Sequence, residues 1–237
     1  MNVVLLRVGI DTGCGGIHSP LFSDGSFEFI PIPDRGGRDE RTYGNTVGRS
    51  GRPLVEYFPE GRRQNVTTQP MHVDPEFTTF TYGDPTPPKR GLKRLQAGDL
   101  LVFYAGMEGW GWMQDPALYL VGYFEVDRVG VAAEIGDEVV RSEFAGNFHV
   151  RHPHVYEDQR QRLLLVRGSV RSRLFARAHR LGARLLREDG TYWQILSPEM
   201  AAVFGSFGGI GSIQRSTPRW VQADKVESAV KYVRSLA

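Results

Sequence analysis

The chain has 237 residues, of which 41% are hydrophobic and 24% charged, and its formal net charge is +2. This is an ordinary composition for a globular chain that can bury a core. Cys14 is the single cysteine, which excludes an internal disulfide, and no stretch approaches the roughly 20 apolar residues of a membrane span. The N-terminal segment has no basic region and no small-residue cleavage site, so no signal peptide is predicted and a cytoplasmic location is expected.

Hydrophobic runs and turn residues predict the elements in chain order. Strands are predicted over residues 3–10, 27–32, 99–104, 119–127, 138–144 and 162–167. Helices are predicted over 169–187, from 197–199 onward, and over 224–236. The helix over 169–187 would take Ser169 as its N-cap, and Pro198 would occupy the first position of the next helix.

This order of elements, with strands first and helices late, predicts an α+β fold. The expected architecture is a curved mixed sheet or a small β-barrel with helices packed on it, including the C-terminal helices. Residues 1–237 are expected to form a single domain. Residues 34–98 show little periodicity and are predicted to be largely an irregular loop region, which in a compact domain is usually functional.

A cluster of polar residues and glycines follows the first predicted strand. Glycines let a backbone approach a ligand closely, and their N–H groups can surround an anion. A tight turn capped by Asp11 explains the same residues equally well. The members singled out are Arg7, Asp11, Gly15, Gly16, Ser19 and Asp24.

Two histidines stand two positions apart at His152 and His154, after Asn147 and His149. On an extended segment they would point the same way and could bind a metal, with a third ligand from Asp11, Asp74 or His72. An isolated pair of this kind is a weak zinc signal, so no metal site is predicted. Histidines hydrogen-bonded within the fold are favoured, and an acid–base role is the intermediate alternative.

Arginines recur along the predicted helix at spacings of four and three. On a helix they would form one stripe, and few carboxylates would lie beside it to balance the charge. Such a stripe suits the phosphates of a nucleic acid, and a solvated helix face is the commoner alternative. The residues are Arg173, Arg177, Arg180, Arg184 and Arg187; residues 151–190 as a whole hold ten arginines against four acidic residues.

A loop between the two strongest predicted strands carries Trp110 and Trp112, with Tyr104 and Tyr123 on the strands themselves. Aromatic faces stack on unpaired bases, although core and rim positions are the commoner fate of tryptophan. The paired strands around this loop are weakly similar to those of PUA-like and EVE-like base-binding modules.

Several motifs follow one another along the chain: RVGIDTGCGGIHSPLFSDGSFEFIPIPD, HVDPEF at 72–77, GDLLVFYAGM, LYLVGYFEV and HPHV at 152–155. Together they resemble the prokaryotic family called nucleotide modification associated domain 3, or Nmad3. The resemblance implies a role near DNA base modification without an established reaction. It carries over Arg7, Asp11, Gly15, Gly16, Ser19, Pro20, Asp24, Gly25, Pro31, Pro33, Asp74, Pro75, Asp99, Gly122, His152 and His154.

The favoured hypothesis is an enzyme acting on a nucleotide or a base in DNA. Its predicted catalytic residues are Asp11, Asp24, Asp74, His152 and His154. Substrate binding is assigned to Arg7, Gly15, Gly16, Ser19, Trp110 and Trp112, and phosphate binding to Arg173, Arg177, Arg180 and Arg184. The alternatives are a non-catalytic reader of modified nucleic acid and a structural or regulatory partner. No cofactor is singled out; nucleotide or nucleic acid is the expected partner, no membrane is expected, and other proteins of a modification system are further candidates.

Overall fold

A computed structural model describes residues 1–207, 209, 212–214 and 217–236. Its strands are β1 Val3–Arg7, β2 Ser19–Leu21, β3 Ile32–Pro33, β4 Met71–His72, β5 Thr81–Asp84, β6 Leu100–Gly109, β7 Ala117–Val131, β8 Leu164–Gly168, β9 Arg173–Arg180, β10 Gly182–Leu186, β11 Tyr192–Leu196 and β12 Arg219–Trp220. Its α-helices are α1 Glu60–Val66, α2 Ala132–Ile135, α3 Asp137–Glu143, α4 Phe148–Arg151, α5 Pro153–Gln159, α6 Pro198–Phe204 and α7 Val226–Ser235. Short 3₁₀ segments cover Leu54–Tyr57, Pro87–Arg94 and Ala223–Lys225.

An antiparallel hairpin of β6 and β7 forms the spine of the main sheet. Both strands are almost continuously apolar, and most of their side chains are buried. Strands covered on both faces have unbroken apolar runs, which is why the sequence predicts both of them clearly. At the centre of the core, the rings of Phe103 and Phe124 meet edge to face with their centroids 4.7 Å apart.

On its outer edge, each strand of this hairpin pairs with two shorter strands, one after the other along its length. On one side, β1 and then β2 pair with β6 in parallel, and β12 pairs with the outer edge of β1. On the other side, β9 and β8 pair with successive halves of β7, and β5 lies outside β8. Within the described residues the sheet stays open. Of the two predicted architectures, the mixed sheet is therefore confirmed and the closed barrel is not.

The end of β1 determines where a cavity forms. Arg7 lies opposite Tyr104 at the last paired position of β1, and the chain then leaves the sheet. Between β7 and β8 the chain forms α2 to α5, and α4 packs against β5. The end of β1, the segment from β4 to β5 and helix α4 consequently surround one cavity.

The predicted helix over 169–187 is wrong, because these residues form a turn followed by β9 and β10. Ser169 does not cap a helix: its carbonyl accepts a hydrogen bond from the backbone N–H of Ser172 (2.9 Å) and its hydroxyl accepts one from Arg171 (3.2 Å). After this turn, β9 pairs with β7. Tertiary pairing of this kind outweighs helix propensity, which is a weak local preference.

Two further predictions are corrected. Residues 138–144 are not a strand, since Asp137–Glu143 forms α3, and acidic residues in its first turn favour the helix. The segment from His152 to His154 is not extended, because Pro153 occupies the first turn of α5. The two histidines therefore do not point in one direction as they would on a strand.

Most other elements are confirmed, with shifted ends. The strands expected at 3–10, 99–104, 119–127 and 162–167 are β1, β6, β7 and β8, and the last two predicted helices are α6 and α7. Ser197 caps α6 by accepting a hydrogen bond from Met200 (3.3 Å). Of the strand expected at 27–32, only Ile32 falls in a strand, and β2 lies where a turn was expected. Within the described ranges, no helix has the length and apolar character needed to cross a membrane.

Candidate functional site

A cavity of about 510 Å³ opens beside the end of β1. Its wall mixes carboxylates, imidazoles, cationic side chains and a few apolar surfaces. Its volume falls within the usual range of small-molecule sites, about 300–1,000 Å³. Its lining includes Arg7, Asp11, Cys14, Arg38, His72, Asp74, Tyr82, Asp84, Lys89, Phe148, His149, Gln159 and Gln214.

Three reactive side chains meet in this cavity. Asp74 Oδ2 lies 3.6 Å from His149 Nε2 and 3.9 Å from His72 Nε2. One ligand atom from each residue lies within 4.8 Å of the other two. The side chains of Asp74 and His149 are only 2% and 5% exposed, and that of His72 is 22% exposed. The cluster of His72, Asp74 and His149 is hereafter called the His–Asp–His cluster.

Local structure fixes each member of the cluster. His72 ends β4, and its ring stacks on Phe148 with the centroids 3.9 Å apart. Asn147 caps α4 by accepting a hydrogen bond from the backbone N–H of His149 (3.0 Å). On the far side of the His149 ring, Nδ1 lies 2.7 Å from Gln159 Oε1, which holds the ring in place. Nε2 of His149 is thereby turned toward Asp74.

Burial dominates the electrostatics of the cluster. It raises the pKa of Asp74 well above its ordinary value, and it lowers the pKa of His72 to about 4. The pKa of His149 is lowered for the same reason, and the nearby Asp74 offsets part of that shift. Removal from water disfavours the charged form of each group, so the cluster favours neutral imidazoles.

One oxygen of the cluster has no hydrogen bond. Asp74 Oδ2 accepts a hydrogen bond from the backbone N–H of Gly83 (2.9 Å). Asp74 Oδ1 is buried and has no hydrogen-bonding partner among the described residues; the amide of Asn147 lies nearby without the geometry of a hydrogen bond. A buried carboxylate oxygen without a partner is costly. Such an atom in a native protein calls for an explanation.

Three cationic side chains lie on the cavity wall. Arg7 forms an ion pair with Asp11 (3.0 Å), and Arg38 forms one with Asp34 (3.2 Å). Burial lowers the pKa of Lys89, the third. These cations give the cavity wall the chemistry that binds phosphate or carboxylate groups.

Part of the cluster of polar residues and glycines after the first strand lies at this cavity. Arg7 and Asp11 line it, as the sequence-based hypothesis requires. Asp11 also caps a turn, since its Oδ1 accepts a hydrogen bond from Cys14 N (2.7 Å), so the turn interpretation holds as well. Burial raises the pKa of the Cys14 thiol, which disfavours a reactive thiolate.

The two glycines and the serine of that cluster lie in closely packed parts of the fold. Gly15 has a φ of +106°, and a Cβ there would stand 2.4 Å from Ile10. At Gly16 a Cβ would stand 2.4 Å from the guanidinium of Arg62. Ser19 is fully buried and accepts a hydrogen bond from Ile30 N (3.3 Å). Close packing accounts for these three residues, and none of them lines the described cavity.

Asp24 lies apart from Asp74 and the cavity. Its Oδ1 accepts hydrogen bonds from the backbone N–H (2.9 Å) and the hydroxyl (2.6 Å) of Ser26, as in an ordinary exposed turn. Hydrogen bonding to Ser26 also lowers its pKa. The structure therefore does not bring all three predicted carboxylates together.

His152 and His154 line a neighbouring cavity of about 450 Å³, which shares Arg38 and Gln159 with the first. His152 Nε2 lies 3.3 Å from Asp39 Oδ2 and is held within the fold, as the favoured alternative expected. Asp39 accepts two further hydrogen bonds from the guanidinium of Arg41 (2.9 and 2.6 Å). Burial alone would raise the pKa of Asp39, but the hydrogen bonds from Arg41 outweigh it and hold the pKa at about 2.

We expect Asp39→Asn to lower the free energy of unfolding by about 2–3 kcal/mol at neutral pH, because the side chain is buried and bonded to a charged partner. The pKa of Asp39 is lower in the folded than in the unfolded chain. Its stabilisation is therefore complete above about pH 4 and disappears as the pH falls through about 2. Urea unfolding across that range should show the two proteins converging. Asp158→Asn, at an exposed pair with Arg162, is the control and should change little; equal losses in both variants would contradict the prediction.

The predicted aromatic loop and the arginines lie outside both of these cavities. Trp112 Nε1 donates a hydrogen bond to the Leu21 carbonyl (2.8 Å), and Trp110 packs edge to face on Tyr57 at 5.1 Å. Arg173, Arg177 and Arg180 are exposed on β9, and Arg184 lies on β10. Side chains alternate between faces along a strand, so the helical stripe does not exist.

The sequence-based assignment of site residues missed His149, Gln159, Arg38 and Lys89. His72 was considered only as a distant third ligand. A signal for the cluster was present: His72 and Asp74 alternate within HVDPEF, and His149 follows Asn147. The sequence does not show that the fold brings α4 to the end of β4.

A model of the family described as nucleotide modification associated domain 3 matches residues 2–234. This match confirms the resemblance over nearly the whole chain. Neither the curated proteins nor the solved structures yield a match. The family description places the chain in the context of nucleotide modification and assigns it no reaction.

Proposed function

We propose that this chain, which belongs to the nucleotide modification associated domain 3 family, is an enzyme that acts on a nucleotide or on a base in nucleic acid. The observation that carries the proposal is the His–Asp–His cluster in a cavity of small-molecule size. Acidic and basic side chains in a cleft with pKa values shifted by burial are a common mark of active sites. A cluster needed only for folding would be more stable if it were apolar.

The cavity wall supports a phosphate-bearing substrate. Arg7, Arg38 and Lys89 supply positive charge at one cavity, although Arg7 and Arg38 also contact carboxylates. Guanidinium groups bind phosphate oxygens through paired N–H donors. In this arrangement the cations hold the phosphate, and the reacting part of the substrate meets the cluster.

The unit of function is proposed to be one domain spanning residues 1–237. Pairing of β1 with both β6 and β12 supports this, because it joins distant parts of the chain in one sheet. Action on cellular nucleic acid would place the protein in the cytoplasm, as the single cysteine leads us to expect.

The first experiment measures binding of nucleoside mono-, di- and triphosphates to the full chain by calorimetry. Arg7→Gln should weaken binding about tenfold or more, because it removes a charged hydrogen-bond donor from the wall. Arg52→Gln is the matched control, since Arg52 is exposed, pairs with Glu56 and lies outside the cavity. In parallel, mass spectrometry of nucleosides from cells that express the protein should reveal an altered base. No nucleotide binding and no altered nucleoside would together refute the proposal.

A reader of modified nucleic acid is the second candidate, and one feature favours it. β10 and β11 form a ribbon of their own, in which Arg184 stacks on the exposed Tyr192 (4.0 Å) and Arg187 on the exposed Trp193 (4.7 Å). Paired rings and guanidinium groups suit the bases and phosphates of a single strand. Salt-sensitive oligonucleotide binding that Trp193→Ala weakens, with no altered nucleoside and no nucleotide binding, would favour this reading over the enzyme.

A further inference from the structure

The His–Asp–His cluster brings one carboxylate oxygen and two ring nitrogens close together. Gln159 Oε1 can only accept a hydrogen bond, so the proton of the neutral His149 ring lies on Nδ1. His149 Nε2 then carries a lone pair that faces Asp74 Oδ2 at 3.6 Å. His72 Nε2 completes the set at 3.9 Å from the same oxygen.

The spacing of these atoms suits a metal ion. Zinc bonds to histidine nitrogen and carboxylate oxygen are about 2.0–2.2 Å long, which places neighbouring ligand atoms about 3.4 Å apart in a tetrahedral site. Both distances from Asp74 to the histidines lie within about half an ångström of that value, and all three ligand atoms lie within 4.8 Å of one another. A bound ion would draw the set inward by a small movement of side chains.

The second oxygen of Asp74 is also buried. Asp74 Oδ1 is inaccessible to water and has no hydrogen bond among the described residues. Oδ2 is the oxygen that faces both histidines. A divalent ion there would favour the ionised carboxylate, and binding through both oxygens would also give Oδ1 a partner.

The surroundings of the cluster match those of metal-binding histidines elsewhere. Such a histidine usually donates its second ring N–H to an oxygen, which fixes its orientation. His149 makes this contact with Gln159 at 2.7 Å. The ring of His72 is fixed differently, by stacking on Phe148. All three cluster residues also line the cavity, so further coordination positions would face its interior.

We propose that His72, Asp74 and His149 bind one divalent first-row transition metal ion, of the Zn²⁺ or Fe²⁺ type, with open coordination positions toward the cavity. Two histidines and one carboxylate are a ligand set that both ions accept. The inference rests on the proposed function for the substrate that would meet the open positions. Metal binding itself can be measured without any nucleotide.

The experiment uses the full chain without an affinity tag, treated with chelator and then titrated with Zn²⁺ by calorimetry and with Co²⁺ by visible absorption. One ion per chain is expected. His149→Ala, His72→Ala and Asp74→Asn should each weaken binding at least about a hundredfold, and Gln159→Leu about 10–100-fold through loss of the contact to His149. His152→Ala is the matched control, because this histidine contacts Asp39 instead, and it should bind like the wild type.

Absence of Zn²⁺ and Co²⁺ binding, or equal binding by the wild type and the cluster variants, would overturn the inference. Thermal unfolding of every variant in chelator separates loss of the ligand from loss of the fold. Nucleotide binding with no metal binding would refute the metal site and leave the proposed function standing. Metal binding with neither nucleotide binding nor an altered nucleoside would support the metal site and refute the proposed function.

Discussion

Asp74→Asn is expected to reduce the proposed modification activity at least about a hundredfold while leaving the protein as stable as the metal-free wild type, or slightly more so. Activity falls because an amide neither transfers a proton as a carboxyl group does nor binds a divalent ion strongly. The fold persists because the remaining amide oxygen can still accept the hydrogen bond from Gly83, which is 2.9 Å long in the wild type. The N–H₂ group then takes the position of Oδ1, which has no hydrogen-bonding partner among the described residues of the wild type.

Two measurements check this result. Nucleoside mass spectrometry reports the activity, and urea unfolding reports the stability. Asp24→Asn is the control, because Asp24 lies in an exposed turn outside the cavity, and it should keep full activity. Should Asp74→Asn remain fully active, the cluster would not be the reactive centre. Should Asp74→Asn instead unfold, Asp74 would have a structural role that the buried oxygen gives no reason to expect.

Gly122→Ala is expected to lower the free energy of unfolding by about 3 kcal/mol, the upper part of the usual range for overpacking. A Cβ at this position would stand 2.4 Å from the carbonyl oxygen of Arg173 and 3.1 Å from both Leu174 Cα and the Phe77 ring. Two of these neighbours are backbone atoms of β9, so a side-chain rotation cannot relieve the overlap. β9 has to move away from β7 at the point where Gly122 pairs with Leu174.

The matched control is Gly61→Ala. Gly61 lies within α1, and nothing stands within 4 Å of a Cβ placed there. Alanine should therefore be neutral or stabilise the helix by up to about 1 kcal/mol. Urea unfolding of the two variants beside the wild type gives the comparison. If Gly122→Ala matched the wild type, the close approach of β9 to β7 would be wrong.

The sequence predicted the parts of the fold that depend on local pattern. β6 and β7 are long apolar runs, and α6 begins at a serine–proline pair whose capping chemistry is local. It failed over 169–187, where arginines at helical spacing lie instead on strands. There the deciding contact is the pairing with β7, some 50 positions earlier in the chain. A local sequence pattern does not indicate so distant a partner.

The sequence likewise predicted only part of the candidate site. Asp74, Arg7 and Asp11 were predicted from motif positions, and all three line the cavity. An alternating pair such as His152 and His154 is conspicuous in a sequence, whereas His149 is not. In the structure, the proline between the two histidines begins a helix, while α4 carries His149 to within 3.6 Å of Asp74. A cluster drawn from two distant segments of the chain becomes visible only when those segments are assembled.

The position of β1 has a consequence for how the chain is made. One edge of β1 pairs with β6 about a hundred residues later, and its other edge pairs with β12 near residue 220. During synthesis β1 waits for both partners, and one of its edges stays unpaired until residue 220 has left the ribosome. Strands exposed in this way are templates for aggregation, and contacts so distant in sequence slow folding. Nascent chains that carry this sheet should therefore depend on chaperones.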